Sequence, residues 1–128
     1  MNNFLKYTVA GAVFSLSALN AAAADLTISL TGSDPITRNV AKFQCDGHAS
    51  ALGLPTGVFS VQYLNGNGNS LAILPIQGHS LVFANVTSAS GARYAAGQYI
   101  WWDAGARGVH LYSDALSGKD QTSCQQAR

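Results

Sequence analysis

Glutamate is absent from this 128-residue chain, and six aspartates are its only acidic side chains. Catalysis by paired carboxylates would therefore rest on Asp alone. Asp34, Asp46, Asp103, Asp114 and Asp120 all lie in or beside turn-like segments, where Asp commonly serves as a turn former. Charge of either sign is scarce: seven Lys and Arg bring the formal net charge to +1, and charged residues make up 10% of the chain. So little charge excludes a strongly basic nucleic-acid binder. The 48% hydrophobic content excludes a disordered chain. Metal-ligand spacing is also missing: His48, His79 and His110 stand alone, with no His-x-His or Cys-x-x-Cys. Neither a Gly-x-Ser-x-Gly elbow nor a phosphate-binding loop occurs. A Ser-His-Asp set could be assembled from any chain this rich in Ser and carries no weight. The expectation is a single domain that is not an enzyme and takes no metal or cofactor.

Long hydrophobic runs are missing as well. The longest apolar stretch, Thr8 to Leu19, falls short of the roughly 20 residues that span a bilayer. It follows Lys6, the only charge before Asp25, and ends in Ala21-Ala22-Ala23-Ala24. A positive start, a short apolar stretch and an Ala-x-Ala end are the pattern of a secretory signal peptide, here residues 1–24. No Cys lies near that site to carry a lipid, so the mature protein, residues 25–128, is expected to be soluble, without a membrane anchor. Losing Lys6 leaves six positive and six negative charges. Cys45 and Cys124 are the only cysteines, and in an oxidising compartment they most simply form one bridge. Closing a loop of 79 positions would contribute about 4.5 kcal/mol in the chain-entropy model. A free, reactive Cys is the alternative.

What the mature chain does contain is alternation of period two. Leu26 to Leu30, Val40 to Cys45, Val58 to Leu64, Ser70 to Leu74, Ser80 to Ala84, Gln98 to Trp102 and Val109 to Ser113 each read as a half-buried strand. Pro75 disfavours a central strand position at the end of the fourth. Asn65-Gly66-Asn67-Gly68-Asn69 and Gln77-Gly78-His79 supply turns. Short strands with Gly-rich connections indicate an all-β antiparallel sandwich or small barrel. Phe43, Phe59, Tyr63, Ile73, Phe83 and Leu111 are available to fill its interior.

One stretch is more specific. Ser90-Gly91-Ala92-Arg93-Tyr94, followed by an aromatic strand ending at Trp102 and by Gly105, resembles the signature of the C-type lysozyme inhibitors. Phe43-Gln44-Cys45-Asp46-Gly47 resembles that family's aromatic-x-Cys start, Cys124 its late Cys partner, and Tyr63-Leu64-Asn65-Gly66 a further shared segment. The resemblance spans about residues 41–124. It implies an eight-stranded antiparallel barrel with a Cys45–Cys124 disulfide, exported to the bacterial periplasm. Such a barrel inserts a loop into the substrate cleft of C-type lysozyme and in some members self-associates as a homodimer. It further implies that Ser90 hydrogen-bonds the catalytic carboxylates, with Gly91, Arg93, Tyr94, Asp103, Ala104 and Arg107 around it. Where the family carries a Lys fourteen residues after that Ser, this chain has Ala104, and the nearest cation is Arg107.

Hairpin counting bears on the same residues. With Ala96-Gly97 as a two-residue turn, Tyr94 faces Tyr99, Gly91 faces Trp102 and Ser90 faces Asp103. Ser90 and the Asp103–Gly108 loop then share one end of the hairpin. Two other classes would use the same fold differently. A glycan-binding module would stack sugars on an exposed Trp101 or Trp102, and a lipocalin-like carrier would keep an open interior.

Overall fold

The computed structural model describes residues 10–13, 23–113 and 121–128. Most of the signal peptide expected at 1–24, and Asp114 and Asp120, lie outside the described residues. The chain forms a closed antiparallel barrel of eight strands in sequential order. These are β1 (Thr37–Cys45), β2 (Phe59–Gly66), β3 (Asn69–Ile76), β4 (His79–Val86), β5 (Ala92–Ala96), β6 (Tyr99–Asp103), β7 (Val109–Ser113) and β8 (Gln121–Gln126). Closure is made by β8 against β1, where Cys45 pairs with Cys124 and the two form the disulfide. The β2–β3 and β3–β4 connections are two-residue turns at Asn67-Gly68 and Gln77-Gly78. All four residues have positive φ, the backbone that matches the twist of paired strands.

Alternation sorts the side chains as the period demands. Along β5 to β8 the paired positions Tyr94, Trp101, Leu111 and Thr122 all point inward and are buried. Trp101 lies at the centre, edge-on to Phe43 at 5.2 Å between ring centroids and against Phe59 at 6.4 Å. Its indole N–H donates to the Tyr63 hydroxyl at 2.9 Å, so a large ring is buried without an orphaned donor. The segment between β1 and β2 folds inward over a 3-10 turn at Ser50–Leu52 and adds Ala49, Leu52 and Leu54 to the core.

Three expectations need correction. Leu26 to Leu30 forms no strand: Leu26, Ile28 and Leu30 are 75%, 65% and 49% exposed. The barrel closes through β8 against Phe43–Cys45 of β1 without this segment, whose apolar side chains stay in solvent. The eighth strand is β8 instead, a polar run whose only buried side chains are Thr122 and Cys124. Pro75 does sit within β3, because the β2–β3 ladder ends at Gln62 and Ile73. Beyond that point β3 bonds only β4, so a missing N–H is tolerated there as on an edge strand. Ile73 also faces outward; the interior positions of β3 are Ala72, Leu74 and Ile76.

Candidate functional site

One residue out of step with the buried row, the same strands carry a second row on the outer surface. Val86 pairs with Arg93, Arg93 with Trp102, Trp102 with His110 and His110 with Ser123. Trp102 is half-buried, because Arg107 folds onto its ring with the guanidinium carbon 5.0 Å from the centroid, and the His110 ring lies 5.9 Å away. Such a cation over an indole face is attracted by the ring's quadrupole. Two positions along β7, Tyr112 receives a hydrogen bond from the Arg93 guanidinium and stacks beneath it at 5.9 Å. The Nε of Arg93 is buried with no hydrogen-bond partner.

Two loops meet at one end of this row. The first, residues 87–91, ends at Gly91, whose φ is +69° and which packs directly on the Asp103 carbonyl; a Cβ there would lie 2.1 Å from that oxygen. Only glycine allows both the backbone angle and the approach. The second loop, 104–108, turns through a short 3-10 segment, Gly105–Arg107, pinned by the Ala104 amide on the Gly108 carbonyl at 2.9 Å and the Gly105 amide on the Asp103 carboxylate at 3.0 Å. The loops are joined by side chains. The Trp102 indole N–H donates to the Ser90 carbonyl at 3.0 Å, the Ser88 hydroxyl donates to the same carbonyl, and Arg107 donates to the Ser90 hydroxyl. Ser88, Ala89, Ser90, Arg93, Trp102, Arg107 and Tyr112 enclose a groove of about 290 Å³, rimmed by two cations and four hydroxyls or aromatic N–H groups. Two guanidiniums lining one groove suit an anionic group, since guanidinium holds a carboxylate with paired N–H donors.

The expected site residues thus divide. Ser90, Gly91 and Arg107 are exposed and adjacent, and Arg93 lines the groove. Tyr94 and Ala104 are buried, at 6% and 9% exposure, and Asp103 is half-buried with its carboxylate turned onto its own loop. The hairpin register shifts by two: the turn is Gly97-Gln98, so Tyr94 faces Trp101 and Arg93 faces Trp102. An even slip preserves the face of every side chain, so Ser90 and the 104–108 loop still share one end. Tyr112 and His110 escaped the sequence reading. Counting outward from Trp102 across the β6–β7 hairpin would have placed His110 beside it, had the length of the intervening loop been known. Trp101, fully buried, offers no sugar-stacking platform, and Trp102 has one face covered by Arg107.

Away from the groove, Asp46 and Tyr63 are shifted among the described residues. The Asp46 carboxylate accepts hydrogen bonds from the Thr122 hydroxyl and from the Ser123 and His48 amides, which hold its pKa below the ordinary value. Burial pushes the Tyr63 phenol up to about 12. Among the described residues no group of three or more His, Cys, Asp or Glu converges as a metal site would require, and no helix is long and apolar enough to cross a membrane.

Fold and site together define a small antiparallel β-barrel filled by side chains, bridged by one disulfide and carrying a cation–aromatic groove on its outer face. Residues 43–115 match the family model described as membrane-bound lysozyme-inhibitor of c-type lysozyme, MliC, and the chain belongs to that family. A Pseudomonas aeruginosa protein named membrane-bound lysozyme inhibitor of C-type lysozyme is 54% identical over 71 residues, 53% of this chain and 55% of its own length. A Cupriavidus necator protein of the same name is 38% identical over 104 residues, 78% of this chain and 76% of that one. The match therefore spans little more than half the Pseudomonas relative and about three-quarters of the Cupriavidus one. Among solved structures, Pseudomonas aeruginosa MliC in complex with hen egg white lysozyme superposes with a TM-score of 0.62 at 37% identity, covering 82% of this chain and 98% of that one.

Proposed function

We propose that this protein inhibits C-type lysozyme by seating the Ser90 loop and the 104–108 loop in the enzyme's substrate cleft, where they exclude peptidoglycan. The carrying observation is that Ser90 and Arg93 of the motif, together with Trp102 and Arg107, line one exposed groove of a barrel that belongs to this family. In this reading Ser90 donates its hydroxyl hydrogen to a catalytic carboxylate. Gly91 keeps the loop thin and close to Asp103. Arg93 and Arg107 supply positive charge, Tyr94 anchors the loop's following strand in the core, and Asp103 and Ala104 shape the second loop through backbone and turn contacts. The target cleft holds two carboxyl groups that lysozyme keeps in different protonation states. Occupying that cleft requires no bond to be made or broken, so the chain is read as an inhibitor and not as an enzyme.

The signal-peptide pattern of residues 1–24 supports export to the bacterial periplasm, where the Cys45–Cys124 bridge is stable and where lysozyme entering from outside would be met. The test is a cell-wall lysis assay with a C-type lysozyme titrated with the oxidised protein. Loss of lysis near stoichiometry is the expected result. Full lysis in the presence of a large excess of folded protein overturns it.

A further inference from the structure

We propose that His110 is a positioning residue for recognition: it carries the rigidity of the disulfide-closed β1–β8 seam to the 104–108 loop and holds that loop in its presenting conformation. The inference rests on the reading that the loop enters the lysozyme cleft, and it names what keeps the loop in shape before the partner arrives.

The loop needs support from outside itself. Gly105 and Gly108 both have positive φ, +63° and +86°, a backbone that glycine adopts freely and leaves as freely. Within the loop the Gly108 amide donates to the Gly105 carbonyl at 3.0 Å, and the Arg107 amide to the Ala104 carbonyl at 3.3 Å. The last carbonyls of so short a 3-10 segment have no partner within it. His110 supplies one: its Nε2 lies 3.0 Å from the Arg107 carbonyl oxygen. A carbonyl only accepts, so Nε2 carries the hydrogen and the neutral ring keeps a bare Nδ1. That nitrogen accepts from the Ser123 hydroxyl at 3.2 Å.

Behind Ser123 the support is firm. Its carbonyl accepts from the Asp46 amide at 2.9 Å, and its own amide donates to the Asp46 carboxylate at 3.1 Å. Asp46 also accepts from the buried Thr122 hydroxyl, and it follows Cys45, which is bridged to Cys124. A continuous path of bonds thus runs from the bridge through Asp46, Ser123 and His110 to the Arg107 carbonyl. The strand register makes it possible, since Ser123 pairs with His110 and His110 with Trp102. Arg107 is then held twice: its carbonyl by His110, and its guanidinium on the Trp102 ring. Ser123 is exposed, so no packing requirement calls for it, and the bond to His110 gives that outward position of β8 a purpose. Ordering a loop on binding costs free energy, and here much of that ordering is already present.

Three substitutions separate the hydrogen bond from the ring. In His110→Gln the side-chain amide nitrogen reaches the place of Nε2 and can still donate to the Arg107 carbonyl. In His110→Asn it reaches only the place of Nδ1. His110→Phe keeps a ring beside Trp102 and loses both bonds. Two readings are taken on the oxidised proteins: affinity for a C-type lysozyme by calorimetry, and hydrogen exchange of the Arg107 and Gly108 amides by NMR with no lysozyme present. His110→Phe and His110→Asn should bind about fivefold more weakly, the worth of one neutral hydrogen bond, and should exchange those amides faster. His110→Gln should rescue both readings to within about twofold. Unchanged affinity for His110→Phe overturns the proposal, since the ring alone then suffices. So does a His110→Gln variant no better than His110→Asn, or exchange that is unaltered in the two weakened variants. If the unaltered protein does not bind lysozyme, the proposed function fails, and the exchange pattern alone decides the role of His110. Should His110→Phe not fold, His110→Gln against His110→Asn gives the same decision.

Discussion

Trp101 and Trp102 are consecutive in sequence, identical in chemistry and opposite in fate. Trp101 sits in the inward row of β5 to β8 with Tyr94, Leu111 and Thr122, fully buried, its N–H satisfied by Tyr63. Trp102 sits in the outward row with Arg93, His110 and Ser123, its N–H spent on the Ser90 carbonyl and its face on Arg107. The same hydrogen-bond donor thus serves the core in one case and positions a surface loop in the other. Along a strand the two faces are separated by one residue, so stability and recognition can be built on the same backbone and still be altered separately.

The comparison can be broken most forcefully at Trp101. Trp101→Ala should cost about 3–5 kcal/mol of stability, through lost burial and the cavity left behind, read from the denaturant midpoint. Trp102→Ala should fold with nearly unchanged stability yet weaken lysozyme binding by about 2 kcal/mol, since an aromatic anchor and the support of two loops are lost together. Equal effects of the two on stability would erase the distinction between the faces. Removing the bridge with Cys45→Ser and Cys124→Ser should lower stability by about 2–5 kcal/mol, because β8 contributes only two buried side chains of its own. Ser90→Ala should leave thermal unfolding unchanged and cost about 1–3 kcal/mol of binding, the range for a hydrogen bond to a charged group.

A subtler test lies at Asp46, which belongs to neither row but ties β8 to the end of β1. Its folded-state pKa is depressed, foremost by the Thr122 hydrogen bond. Its stabilising contribution is therefore present above the ordinary value of 3.8 and is lost as pH falls through the lower folded value. Asp46→Asn should be less stable than the unaltered protein at pH 7, and the gap should narrow as pH drops below 3.8, as followed by thermal melts across that range.

Much of this was legible in the residues. Strict alternation located β1 to β4, β6 and β7 to within a few positions, because each strand has one face in the core and one in water. The Ser90–Tyr94 block and the aromatic strand after it pointed to the family and to the loop that carries the groove. Alternation misled at Leu26 to Leu30, where a strand-like pattern meets a barrel that has already closed. It was silent at β8, whose polar run of Gln, Ser and Thr carries no hydrophobic rhythm. Placing the β5–β6 turn one residue early shifted the pairing by two, which kept every face correct yet paired Trp102 with Gly91 instead of Arg93. Tyr112 and His110 enter the groove only through the register of β6 with β7 and the length of the 104–108 loop, neither of which a local pattern encodes.

The sequence by itself determined which side chains are apolar and at what period. It thereby determined that the chain is all-β, that Trp101 and Trp102 take opposite faces, and that two cysteines are available for one bridge. Which strand closes the barrel, and that Arg107 reaches back across seventeen residues to the Ser90 hydroxyl, were decided only by the tertiary structure. Period two is a property of neighbouring residues, whereas register, closure and the meeting of two loops depend on the simultaneous packing of all eight strands.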